Sequence, residues 1–258
     1  MQFVDYDRSP APALYLAAGG PTEHVPLTAG ATLDYGLGER HCAGALVIDE
    51  GEGDDGVARH RSCSAPRAPY CREHTSTWAC ARCTGDCELP LENCRREHVI
   101  YLAAFAPDTF KVGVTKPDRL ETRLREQGAD RAALLAHAPD GRAARRREAA
   151  LADRLPDRVR TPTKVAALAR AVDTGAWEGL LAEFDPLETF AFDYGFTVAE
   201  RPVRETVASG TVVGVQGRLL VLENAGSTYA VDLRDLLGHE VEQGTSGRDL
   251  QSSLGRFG

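Results

Sequence analysis

The sequence predicts an α+β protein, and three observations lead there. Residues 63–94 show almost no apolar periodicity but recur in cysteine, so this stretch cannot build a core of its own. From His98 the chain changes to two apolar, strand-like runs followed by helix, strand and helix signals. Beyond Pro186 it returns to short β-like runs separated by turn residues. The expected architecture is a central β-sheet with helices, preceded by a zinc-binding cysteine-rich segment and flanked by small antiparallel β regions. The boundaries read as a β region over 1–50, able to pack with the C-terminal β region, a cysteine-rich segment over 51–97, an α/β core over 98–185 and a β-rich region over 186–258.

Each element has a local reason. ALYLAA, HVPLTAGATLDYGL and GALVIDEG are β-like and separated by Gly and Pro, and the polar GEGDDGVARHR breaks them. HVIYLAAF and FKVGVT, joined by APDT, read as a hairpin. In KPDRLETRLREQGA, Pro117 and Asp118 open a helix and Gly128 closes it. AALLAHA is a third strand bounded by Pro139, Asp140 and Gly141. GRAARRREAALADRL is a helix with an arginine face and an Ala/Leu face, and TKVAALARAVD and AWEGLLAEF are shorter helices. The last region turns at Gln216-Gly217 and at Asn224-Ala225-Gly226, as a small antiparallel barrel or meander does.

The 258 residues suffice for one large domain or two to three small ones, and 43% hydrophobic content is that of a soluble globular chain. No run approaches the roughly 20 apolar residues a membrane helix needs, and MQFVDYDRSP lacks the character of a signal peptide. A cytoplasmic protein without a membrane partner is the expectation; oligomeric state is left open. The net charge of −8 argues against a surface that attracts nucleic acid everywhere, although basic charge is concentrated locally. Of the 30 basic residues only Lys111, Lys116 and Lys164 are lysines.

Seven cysteines without a secretory signal point to metal thiolates rather than disulfides. Cys71-x2-His74 and Cys80-x2-Cys83 are chelate pairs, because two intervening residues let one turn of backbone aim both side chains at one ion. The seven cysteines and His74 make eight ligands, enough for two four-coordinate zinc sites. The preferred partition assigns Cys42, Cys63, Cys71 and His74 to the first and Cys80, Cys83, Cys87 and Cys94 to the second. An interleaved partition, one zinc with spectator cysteines, and plain buried thiols are the alternatives. With every position used in closed sites, the metal would be structural, supplying folding free energy.

The run HVIYLAAF, then FKVGVT, then RLETRLREQGA and a helix bearing Glu148 resembles the GIY-YIG endonuclease core. Val99-Ile100-Tyr101 stands at the first motif and Lys111-Val112-Gly113 at the second. The whole layout is similar to the archaeal and bacterial family catalogued as domain of unknown function 2797. The nuclease resemblance implies that Tyr101 moves a proton for water attacking a phosphodiester. It implies that Arg123, or Arg119 one turn earlier, stabilises charge on the phosphate, and that Glu148 holds a divalent cation, Mg2+ or Mn2+. The first-motif glycine is replaced by Val99 and the second-motif tyrosine by Lys111, which can meet phosphate as a point charge.

Strand alternation puts His98 and Ile100 on one face and Val99 and Tyr101 on the other, while Lys111, Gly113 and Thr115 share a face. Whether that face is Tyr101's depends on a register the sequence leaves open. Ordinary readings stand beside these: a strand tyrosine, solvated strand-end lysines, helix arginines paired with Glu121 or Glu126, an exposed Glu148 beside Arg145 and Arg147, and a His98 that buttresses the cysteine segment. GRAARRR is a solvated face or, with Arg119, Arg123 and Lys111, part of a phosphate-binding surface. Two functions follow: a zinc-stabilised DNA- or RNA-binding protein that extends to a divalent-metal-dependent phosphodiesterase, or a non-enzymatic zinc-containing module for protein or RNA contacts with a degenerate nuclease core.

Overall fold

The computed structural model describes residues 1–19, 21–49, 57–75, 83–87 and 92–244. Six strands precede the cysteine segment: β1 (Gln2–Asp7), β2 (Ala13–Ala17), β3 (Glu23–Pro26), β4 (Thr32–Arg40), β5 (Ala45–Asp49) and β6 (Val57–Arg61). The middle of the chain contributes β7 (His98–Phe105), β8 (Thr109–Thr115), α1 (Leu120–Gln127), β9 (Arg131–Ala138), α2 (Gly141–Ala152), α3 (Thr161–Ala167), α4 (Thr174–Leu181) and β10 (Glu188–Ala191). The end adds β11 (Val203–Arg204), β12 (Ala208–Gln216), β13 (Leu219–Asn224), β14 (Ser227–Asp232), α5 (Leu233–Leu236) and β15 (His239–Gln243). The fold is α+β. It divides into two compact units, Met1–Ser76 with Pro202–Gly258, and Thr77–Arg201.

In the first unit, strands from both ends of the chain form one nine-stranded sheet in the order β11-β14-β13-β12-β4-β15-β1-β2-β3. Pairing is antiparallel except between β11 and β14. Alternation buries Phe3, Leu14, Leu16, Leu220, Leu222 and Val231 in one continuous core. β5 and β6 form a separate hairpin, and Cys63 follows two residues after it.

The second unit is a four-stranded antiparallel sheet in the order β10-β9-β7-β8, with helices on its faces. β7 is central and buried on both sides, so HVIYLAAF is a continuous apolar run rather than an alternating one. Val99, Tyr101, Ala103 and Phe105 pack under Leu120 and Leu124 of α1, while Ile100, Leu102 and Ala104 pack with Ala144 of α2 and Trp177 of α4. The Gly128 stop is realised as a left-handed residue at φ 73°, and Asp140 caps α2 by accepting from the Ala143 N–H at 2.7 Å.

β10 lies beyond the expected end of this core. The segment after Pro186 reads as the start of the terminal β region, yet Glu188–Ala191 pairs with β9, held at its ends by Leu187 N–H to Leu134 O (2.8 Å) and Phe192 N–H to Asp130 O (3.0 Å). The reason is the open edge of β9, whose backbone groups need partners. Phe190 and Phe192 then close the α1 side of the core.

Candidate functional site

Two clusters of chemically competent side chains form, one in each unit. The first lies where β4 runs out. Cys42 follows that strand in a loop stapled by Cys42 N–H to Ala65 O (2.9 Å) and Ala43 N–H to Pro69 O (2.8 Å). Gly44 is obligatory there: its φ is +68°, and a Cβ would stand 2.1 Å from the Arg61 carbonyl oxygen. Cys71 and His74 occupy one turn, closed by Thr75, whose N–H and Oγ1 both donate to Cys71 O. These loops bring one donor atom each from Cys42, Cys63, Cys71 and His74 to within 4.8 Å of one another.

The separations suit a tetrahedral ion. His74 Nδ1 stands 3.4 Å from Cys42 Sγ and 3.2 Å from Cys71 Sγ, while Zn–S and Zn–N bonds at tetrahedral angles place donors roughly 3.5–3.8 Å apart. Cys42 Sγ also accepts the Gly44 and Cys71 N–H groups at 3.4 and 3.2 Å, as a thiolate does. Burial pushes the Cys71 thiol up, but the backbone and ring of His74 and the Glu73 N–H outweigh it and bring it down to about 7. Cys63 is displaced upward: its Ala65 hydrogen bond is overcome by burial and by the neighbouring Cys42 and Cys71 sulfurs. Thiols that oppose one another's ionisation in this way are relieved by a cation between them.

The second predicted set is described only in part. Cys80 lies outside the described residues, and among the described residues Cys83, Cys87 and Cys94 do not form a second such group. Their loop nonetheless has a defined place. Gly85 packs so closely on α2 that a Cβ would stand 2.6 Å from Arg142 O, its carbonyl accepts from Arg146 at 3.3 Å, and Cys94 lies beside Gly141. The cysteine loop therefore braces the helix that carries Glu148.

The second cluster surrounds Tyr101. The hairpin register pairs Tyr101 with Gly113 and Ala103 with Lys111, which puts Tyr101, Lys111 and Gly113 on one face. The phenol crosses β8 over Gly113, where a Cβ would be 2.4 Å from Tyr101 Oη, so the glycine is required by the tyrosine's path. Tyr101 is 2% exposed, and its Oη accepts from Gln127 Nε2 at 2.6 Å. Burial raises the phenol pKa against the hydrogen bonds from Gln127 and Arg123, so it stays protonated at neutral pH.

Lys111 is 9% exposed and, among the described residues, has neither a hydrogen-bond partner nor an ion pair. Burial first and Arg123 second bring its amine down to about 8. Arg145 acts in the same direction, while Glu148 and Asp157 oppose it. Asp157 arrives because the Val112 N–H on the free edge of β8 donates to Pro156 O at 3.2 Å. Glu148 is itself held by Arg145 at 2.6 Å, and Arg123 and Arg119 share Glu126 at 3.4 and 2.9 Å.

Tyr101, Lys111, Arg123 and Glu148 are thus brought into one electrostatic neighbourhood, and Arg119 stands at its exposed margin. His98 is not: it falls on the Ile100 face, where Nδ1 bonds Arg96 O at 2.8 Å and the ring abuts Gly141. The arginines of α2 are largely engaged locally, Arg145 with Glu148, Arg146 with Gly85 O and Arg147 with His137 O. The sequence reading missed Gln127 and Asp157. Gln127 had a signal: it continues the buried stripe of Leu120 and Leu124, and a polar group in an apolar stripe needs a buried partner.

No helix among the described residues is long and apolar enough to cross a membrane. A family model described as "Protein of unknown function (DUF2797)" matches residues 38–241, a span that takes in the four-residue metal cluster and the whole four-stranded sheet. No curated protein and no solved structure matches.

Proposed function

This chain belongs to the DUF2797 family, and we propose that it is a zinc-stabilised nucleic-acid-binding protein with a core of the GIY-YIG kind. Three soft thiols and an imidazole in a closed set fit Zn2+ better than the hard cations, and they leave no position open for catalysis at that ion. Zinc would tie the β4 end to the Cys71–His74 turn and supply folding free energy to loops that bury little apolar surface.

The observation that carries the binding reading is Lys111. An amine on a buried stem whose tip keeps access to solvent, without an ion pair among the described residues and under the positive influence of Arg123 and Arg145, is satisfied by an anion that enters from solvent. Arg123, with 44% of its side chain exposed, and Arg119 at 54% extend that positive site outward. The phosphodiester backbone is the anion that rewards a row of such contacts. Binding of a generic oligonucleotide at low salt, weakening as salt rises, tests the reading; absence of binding at low salt contradicts it.

A divalent-metal phosphodiesterase is the second reading, favoured by the sharing of one environment by Tyr101, Arg123 and Glu148. The residues present do not fit Mg2+ or Mn2+. Of the two carboxylates that act on Lys111, Glu148 is engaged by Arg145 at 2.6 Å and Asp157 by Arg158 at 3.6 Å, so neither is free for a hard cation. Nicking assays with wild type, Tyr101→Phe and Glu148→Gln separate the readings: metal-dependent nicking lost in both variants would establish cleavage, and equal signal in all three would assign it to contamination.

A further inference from the structure

The segment FAFDYGF, residues 190–196, sets an aromatic side chain at every second position: Phe190, Phe192, Tyr194 and Phe196. Three of the chain's eight phenylalanines fall in these seven residues, and all four aromatics are half-buried rather than sealed in a core. β10 ends its sheet, so among the described residues no further strand covers it. The row is fastened to the turn between α1 and β9: Phe192 N–H donates to Asp130 O at 3.0 Å and Tyr194 Oη to Ala129 O at 2.9 Å. The Phe190 and Phe192 rings lie within 3° of parallel with centroids 6.3 Å apart, and the Arg125 guanidinium stands 5.0 Å from the Phe192 centroid. The nearby carboxylates are occupied, Glu121 by Arg125 at 3.0 Å and Asp193 by the Gly195 N–H at 2.8 Å. Aromatic rings and guanidinium planes held in place in this way are the surfaces on which unpaired bases stack.

This aromatic margin shares a sheet face with the anion site. Register pairs Lys111 with Ala103, Ala103 with Ala132 and Ala132 with Phe190, so Lys111 and Phe190 end one cross-strand row on one side of the sheet. Three interstrand spacings separate them, about 14 Å. α1 lies over the middle of that row, with Leu120 and Leu124 packed onto it. Helical spacing turns Arg119 and Arg123 to one flank of α1, where both meet Glu126, and Arg125 to the other, where it meets Glu121. The arginines of α1 therefore connect the Lys111 margin to the aromatic one.

We propose that the nucleic acid this face takes is single-stranded: phosphates meet Arg119 and Arg123, the strand crosses α1, and a base stacks against Phe192 and Arg125. This rests on the nucleic-acid reading above and adds to it the class of strand. A duplex presents the same phosphates but keeps its base faces inside its own stack, so it reaches only the charged part of the surface.

The test measures fluorescence anisotropy of three labelled ligands of one length, about 12 nucleotides, titrated with the full chain. They are a single strand, its duplex, and a strand of abasic spacers that keeps every phosphate and has no bases. At equal salt the single strand should bind at least about fivefold more tightly than either of the others, the low end of what one stacked base contributes. Phe192→Leu should lose that margin while leaving the duplex affinity and the salt slope unchanged, and Phe192→Tyr, which keeps the ring, should retain it. The abasic comparison uses the wild-type chain, so it decides the matter even where a variant fails to fold. Equal binding of the ordinary and abasic strands, or a duplex bound as tightly as the single strand, overturns the single-strand inference and leaves phosphate binding standing. Failure of all three ligands to bind at low salt overturns the binding reading itself and this inference with it.

Discussion

The two polar clusters have opposite demands. Around Cys42, Cys63, Cys71 and His74 the protein gathers donors of negative or neutral character and surrounds them with N–H groups, so the unmet need is for a cation. Around Lys111 it gathers an ammonium and two guanidiniums against carboxylates that are already shared, so the unmet need is for an anion. The first cluster sits in loops, and the second lies on the face where Tyr101 is buried under α1. On the proposed reading, a metal at the first would add stability, while the second is held at a cost to stability.

Metal removal should have the largest effect. Structural zinc contributes about 10–16 kcal/mol in small domains, so chelation or Cys71→Ser should abolish the cooperative melt of the first unit. Metal analysis should return at least one zinc per chain, held by this Cys3His cluster, and a value near zero would overturn the proposed zinc site.

Lys111→Met should do the reverse and stabilise. The amine titrates at about 8 in the fold against an ordinary 10.5, so between those values the unfolded chain binds more protons. The penalty of about 3 kcal/mol is present below pH 8 and fades as pH rises to 10.5. Denaturant melts should show the variant more stable at pH 7 and level with wild type near pH 10.5. A variant less stable at pH 7 would mean that Lys111 is a structural residue.

Smaller effects sharpen the geometry. Gly113→Ala drives a Cβ into the phenol and should cost about 1–3 kcal/mol in a denaturant melt. Gln127→Leu leaves the Tyr101 hydroxyl without its donor and should cost about 1–2 kcal/mol by the same measurement. Arg119→Ala removes only an exposed ion pair and should change stability by less than about 0.5 kcal/mol while weakening oligonucleotide binding.

Local chemistry was legible before the structure. The α+β class, the β7–β8 hairpin, the Gly128 stop and the Pro139-Asp140-Gly141 break between β9 and α2 follow from turn residues and local pattern, and the Cys71-x2-His74 pair follows from chelate spacing. Non-local pairing was not. The register that sets Lys111 beside Tyr101 differs by one residue from one that would set them apart, and the period of two carries no preference between them. Asp157 reaches the site through a single backbone hydrogen bond on the free edge of β8, and β10 joins the core because β9 had an edge to cover. Neither leaves a pattern in its own segment. The arginine run of α2 looked like an open basic patch because its partners, Gly85 O and His137 O, are backbone atoms invisible to side-chain patterning.

The central claim is that the face holding Lys111 and Arg123 takes a nucleic-acid phosphate. Its most direct test is the salt dependence of oligonucleotide binding by wild type and by Arg123→Ala, followed by fluorescence anisotropy. Binding at low salt, with a log–log salt slope reduced by about one in the variant, is the predicted result. An oligonucleotide that stays unbound at low salt, or a slope identical in the two proteins, would contradict it.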